Sequence, residues 1–276
     1  MTLDLAANLR DTFPGRLSIA WHLDWHTRQP EFDSAERYAD SIETEEYSSL
    51  ARMTLSMYLY GADFKDVADM DTSEPAILEM SEAIATALAS SHRQTLHTPQ
   101  IHHGDLNTLR PPIIANRRSP SSLPDGAFWT APVFDSGGDA WLLHGEHNPK
   151  RSPNRYQVHF NPELARIARI DSADDWIELL SAHPFDHNGT LFPDWPSIAQ
   201  AWDAVHVSIS GLLCAQPRIS QVPYTGGDLS GYTHSRSGPY AGVGDWSVPS
   251  TAWLRVPPGE FTIQPMVVDR EQSRPG

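Results

Sequence analysis

Two stretches, Trp202-Asp203-Ala204-Val205-His206-Val207-Ser208 and Ser250-Thr251-Ala252-Trp253-Leu254-Arg255, decide the fold class. Each is a short β-branched and aromatic run bounded by Asp, Ser or Pro, which is the pattern of a strand. Ala204 to Ser210 and Thr251 to Val256 are therefore expected as strands, and Ala127 to Phe134, Tyr156 to Phe160, Ala165 to Ile170 and Phe261 to Val268 read the same way. Two short helices interrupt them. Ser172 caps Ala173 to Leu180, and Asp194 caps Trp195 to Trp202, with Pro196 tolerated in the first turn.

Before about Ser90 the pattern is helical. Asp33 followed by Glu36 is an N-cap pair, and Ala35, Tyr38, Ala39 and Ile42 recur at helical spacing; Leu50, Met53 and Met57 mark a second stretch. Asp71-Thr72-Ser73-Glu74-Pro75 starts a third helix, whose stripe of Ile77, Met80, Ile84, Ala87 and Leu88 reads as core. The expected organisation is α+β: a helical region over 1–92, a strand-rich domain over 93–268 and a polar tail over 269–276. The tract from Gln216 to Trp246 is rich in Gly, Ser, Pro and Tyr and has little periodicity, so it is expected as a surface segment bordering a cleft.

Composition narrows the function classes. The chain has 276 residues with 39% hydrophobic and 20% charged, ordinary globular usage. Lys+Arg 20 against Asp+Glu 35 gives a net charge of −15, which disfavours general binding to phosphate backbones. Cys214 alone can build neither a disulfide framework nor a thiolate zinc site. Met1 to Pro14 lacks the basic start and apolar run of a signal peptide, and no stretch approaches the roughly 20 apolar residues of a membrane span, so a cytoplasmic chain without membrane contact is expected.

Familiar motifs are few. Histidine groups occur at His102-His103-Gly104-Asp105, His144-Gly145-Glu146-His147 and His183 with Asp186 and His187, but none has a metalloenzyme spacing, and Pro184 disfavours a helix presenting His183 and His187 together. No metal is expected. There is no G-x-S-x-G elbow, and Ser210-Gly211 and Ser230-Gly231 read as lacking a strand-to-helix context. Gly226-Gly227-Asp228 and Gly242-Val243-Gly244 lack the lysine and helix of a phosphate loop.

An order of segments remains: His102-His103-Gly104-Asp105, Phe128-Trp129-Thr130-Ala131-Pro132-Val133, Gly137-Gly138-Asp139-Ala140-Trp141-Leu142, Ala165 to Trp176, Trp202 to Ser208, and Ser250 to Arg255. This order resembles bacterial members of the ADP-ribosyltransferase-like superfamily over roughly residues 96–268, about two thirds of the chain. The resemblance implies a mostly antiparallel split sheet that clasps NAD as substrate. It implies that His102 or His103 holds the ribose or a phosphate, and that Trp129 and Thr130 shape the nicotinamide pocket.

A glutamate on a later strand would stabilise the cationic ribose C1′ as nicotinamide leaves, an effect worth several kcal/mol. This sequence departs there, reading Asp245-Trp246-Ser247-Val248-Pro249-Ser250-Thr251. Asp245, Glu146 and Glu260 are the candidate catalytic carboxylates. The expected function is transfer of ADP-ribose from NAD to an unknown acceptor. The alternatives are a catalytically silent NAD- or nucleotide-binding regulator on the same fold and, more weakly, a histidine and carboxylate metal hydrolase.

Overall fold

Among the described residues three helices precede the sheet: Leu5–Asp11 (α1), Phe13–Arg28 (α2) and Pro75–Ser90 (α3). The computed structural model describes residues 4–28, 67, 69–90, 96–104, 106, 111–133, 139–141, 154–216, 240–246, 248–259 and 261–266. The helices expected around Asp33 to Ile42 and Leu50 to Met57 lie outside these. α3 starts where its sequence requires. Asp71 Oδ1 accepts from the Ser73 amide at 3.0 Å and the Ser73 hydroxyl at 2.6 Å, and Pro75 takes the first helical position, where an amide hydrogen has no intrahelical partner. Its stripe of Ile77, Met80, Ile84, Ala87 and Leu88 is buried.

The strands are Gln100–His103 (β1), Phe128–Pro132 (β2), Arg155–Phe160 (β3), Ile167–Ile170 (β4), then Ala204–Val207 (β7), Ser250–Trp253 (β8) and Phe261–Pro265 (β9), while Pro184–His187 (β5) and Thr190–Pro193 (β6) form a separate hairpin. The seven-stranded sheet runs β4-β7-β8-β2-β1-β3-β9, and among the described residues only the β4–β7 pair is parallel. A parallel pair needs a crossover. Here it comprises Ala173–Ala182 (α4), the hairpin and Trp195–Ala201 (α5). Ser172 caps α4 as its sequence predicts, its hydroxyl accepting from the Asp175 amide. Asp194 precedes α5 without a side-chain cap; Asn116 donates from Nδ2 to its Oδ1 at 3.0 Å and accepts the Trp195 amide on its own Oδ1 at 2.8 Å.

The expected strand Ala204 to Ser210 ends at Val207, and Ile209–Cys214 is a helix (α6) capped by Ser208. Close packing accounts for this: a Cβ on Gly211 would stand 2.0 Å from the Ile170 carbonyl oxygen, so only glycine lets the helix lie against β4. The junction is therefore strand-to-helix after all. It does not present a nucleophile, since the hydroxyls of Ser208 and Ser210 are buried 3.0 Å from each other. Ser230 lies outside the described residues.

One hydrophobic core joins helices and sheet. Leu9, Ile19, Ile84 and Leu88 from α1 to α3 pack in one cluster with Ile170, Val205, Val207 and Ala252 from the strands and Leu212 and Leu213 from α6. No described helix is long and apolar enough to cross a membrane.

Candidate functional site

Strand alternation sorts the predicted site residues into two sets. Neighbours on a strand point to opposite faces, and partners across a pair share a face. Ile101 pairs with Ala131, so His103 and Trp129, each two residues from a member of that pair, lie with them on one face. Trp129 pairs with Ala252, which belongs to the core cluster under the helices. His102 and Thr130 point the other way. A single pocket cannot take both members of His102-His103 or of Trp129-Thr130.

On the His103 and Trp129 face a cleft of about 240 Å³ opens, lined by Arg117, Leu123, Trp129, Trp141, Asp245, Trp246 and Ser250. Trp129 and Trp246 meet edge to face with centroids 4.8 Å apart. Trp246 is buried and donates its indole N–H to the Ser122 carbonyl at 3.0 Å. The volume falls below the roughly 300–1,000 Å³ of drug-sized sites, so the cleft suits one ring with the rest of a larger ligand outside.

Asp245 is exposed at the rim and is held from one side only. Its Oδ2 accepts from the Ser121 hydroxyl at 2.5 Å, the Ser122 amide at 2.9 Å and the Ser122 hydroxyl at 3.3 Å, while Oδ1 accepts no hydrogen bond among the described residues. The Ser121-Ser122 turn thus clasps the 245–246 segment and fixes one wall of the cleft. Residues 217–239 of the tract expected to border it are outside the described residues. The end from Tyr240 to Trp246 is packed structure, with Val243 and Trp246 buried.

Beside Trp129, His103 donates from Nε2 to the fully enclosed carboxylate of Asp139 at 3.0 Å. Asp139 also accepts from Arg155 Nη2 at 2.8 Å and from the Trp141 amide at 2.9 Å. One carboxylate therefore anchors the histidine of β1, the arginine of β3 and the backbone of a cleft tryptophan.

On the opposite face, His102 donates its Nδ1–H to the Trp129 carbonyl at 2.7 Å and stacks on Phe128, with centroids 4.4 Å apart. Burial pushes its pKa below the usual histidine value; the Trp129 hydrogen bond opposes this and the neighbouring His103 adds to it. Thr130 is fully enclosed, its hydroxyl donating to Gln100 Oε1 and accepting from Trp253 Nε1 at 2.9 Å. His206 is also enclosed, hydrogen-bonded to Thr251 at 2.9 Å; burial chiefly, with Arg169 and His97 nearby, pushes it down to about 3.

Of the expected site residues, the structure brings Trp129 and Asp245 into one cleft with His103 beside it. It sets His102 and Thr130 on the far face. Glu146 and Glu260 lie outside the described residues. No family model, curated protein or solved structure matches this chain. Sequence reasoning did not select Arg117, Trp141, Trp246 or Asp139 as site residues; Trp246 and Trp141 carried a signal, being large aromatics next to a candidate acid and just beyond the sequence Gly137-Gly138-Asp139. Among the described residues no three histidine, cysteine, aspartate or glutamate side chains converge as a metal site. Of the histidine groups read in the sequence, His144 and His147 lie outside those residues, and His183 Nδ1 is 2.9 Å from the Ser197 hydroxyl.

Proposed function

We propose that this chain binds NAD with its nicotinamide end in the tryptophan-lined cleft and transfers ADP-ribose to an acceptor, on a sheet of ADP-ribosyltransferase type. The observation that carries the reading is the convergence of Trp129 and Asp245, two positions that the resemblance singles out in distant parts of the sequence, in one ring-sized cleft. Tryptophan faces attract a flat cation such as the pyridinium of NAD. Asp245 Oδ1, without a donor among the described residues, supplies negative charge where the ribosyl cation develops. Arg117 on the same cleft complements the phosphates of a ligand that extends outward.

The test is nicotinamide release by the full chain and by Asp245→Asn. Removing a charge used only in the transition state lowers kcat and kcat/KM together, by roughly 10²–10³, and leaves NAD affinity almost unchanged. Equal activity of the two proteins removes Asp245 from the mechanism. No release by the wild type with any acceptor leaves the cleft as a binding site only, the alternative of a silent regulator.

A further inference from the structure

We infer that His103 is the proton acceptor at this cleft, oriented by Asp139, and that the acceptor substrate it serves is an oxygen nucleophile, either water or an alcohol. The inference rests on the transferase reading above and assigns it a second working residue. Asp139 is wholly enclosed, and a buried carboxylate can only accept, so His103 presents Nε2–H to it. That leaves the lone pair on Nδ1. Nδ1 makes no hydrogen bond among the described residues and is not among the enclosed unpartnered atoms, so the tenth of the side chain that remains exposed includes it. His103 thus has the geometry of a general base: one nitrogen held by a buried acid, the other open to solvent.

Position supports the role. His103 does not line the cleft itself; it shares the sheet face of Trp129 on the adjoining strand, and its anchor Asp139 also holds the Trp141 backbone, so one carboxylate ties the base to a residue of the cleft wall. Arg155 on the same carboxylate offsets its charge and holds it in place. The adjacent His102 cannot substitute. Its Nδ1–H is committed to the Trp129 carbonyl and its ring is stacked on Phe128 on the other side of the sheet.

The chemistry balances without a further reagent. The acceptor oxygen forms a bond to C1′, the C1′–nitrogen bond breaks with its electron pair going to nicotinamide, and the hydroxyl proton passes to His103 Nδ1. Asp139 then faces the imidazolium. A neutral hydroxyl must shed its proton as it bonds to carbon, which is why the base points to oxygen acceptors.

The experiment measures nicotinamide release from NAD with water as acceptor, using the full chain, His103→Gln, His103→Ala and Asp139→Asn. It is paired with nitrogen-15 NMR of the histidine side chains with and without ADP-ribose. The wild type is expected to show His103 protonated at Nε2, with the Nδ1 resonance shifting on addition of ADP-ribose. His103→Gln is expected to lose roughly 10²–10⁴ in kcat with KM for NAD nearly unchanged, added imidazole to restore rate to His103→Ala, and Asp139→Asn to lose the single tautomer. Unchanged kcat in His103→Gln, protonation of the wild-type ring at Nδ1, or a His103 signal indifferent to ADP-ribose overturns the inference while leaving transferase activity standing. The NMR arm on the wild type decides even where a variant fails to fold. Absence of nicotinamide release by the wild type refutes the transferase reading itself, and the proton-acceptor role falls with it.

Discussion

Replacing Thr130 with valine removes one hydroxyl from the centre of the sheet and leaves the shape of the side chain nearly unchanged. The hydroxyl serves two enclosed groups, accepting from Trp253 Nε1 at 2.9 Å and donating to Gln100 Oε1. Gln100 and Trp253 have almost no solvent exposure, and Gln100 Nε2 already has no hydrogen-bond partner. Thr130→Val therefore strands a donor and an acceptor in the core, each costing about 1–3 kcal/mol, so a loss of about 3 kcal/mol is expected. Thr130→Ser keeps both hydrogen bonds and loses only a buried methyl, about 1 kcal/mol. In a chain of this size 1 kcal/mol moves Tm by about 2 °C, giving drops of about 6 °C and 2 °C in a calorimetric melt. Because Thr130 points away from the cleft, neither variant should change ligand affinity at the temperature where it is folded. A Thr130→Val melt within 1 °C of the wild type, or a serine variant as unstable as the valine one, would refute this account of the core.

Acid should weaken the fold through its enclosed histidines. Burial pushes His22 down to about 4 and His206 down to about 3, both below the usual value near 6.5. Between those values and pH 6.5 the unfolded chain binds protons that the folded chain does not, so their contribution is complete above pH 6.5 and falls as pH is lowered. The slope is about 1.4 kcal/mol per pH unit for each histidine; urea midpoints at pH 7, 6 and 5 should decline, and His206→Gln should flatten the decline, whereas an unchanged slope in that variant contradicts the assignment. Ser122→Ala removes a hydroxyl that donates to Asp245 and accepts the Asp245 amide at 3.2 Å. It should cost about 1 kcal/mol and broaden Trp246 fluorescence, and a silent substitution would mean that the clasp does not hold the wall.

Much of the strand architecture was legible because its residues are few-featured and consistent. Phe128, Trp129 and Thr130, or Ala204 to Val207, offer β-branched and aromatic side chains to both faces of a buried sheet, and no competing helical period runs through them. α3 was legible from Asp71 and Pro75 at its start. α2 was not, since Arg16, Ser18 and His22 on it are buried and blur the apolar stripe. α6 was hidden for a related reason: every residue from Ile209 to Cys214 is buried, so no polar face marks the period. The β5–β6 hairpin did carry a signal in Asn188-Gly189, whose φ values of 55° and 83° are those of a two-residue turn between strands.

The candidate site was half legible for a geometric reason. Reading His102-His103 and Trp129-Thr130 as units ignores that a strand sends neighbours to opposite faces, so the two members of each pair cannot line one pocket. Asp245 could be selected by its place in the order of segments. The Ser121-Ser122 turn that fixes it could not, because nothing local ties residues so far apart in the chain.

Calorimetric titration of NAD into the wild-type chain and into Trp129→Ala tests the central claim most directly. Stacking of a ring on one tryptophan is worth about 1–3 kcal/mol, so the account predicts measurable heat for the wild type and an affinity about 10- to 100-fold weaker for the variant. Equal affinity of the two proteins, or no heat from the wild type at millimolar NAD, would contradict it.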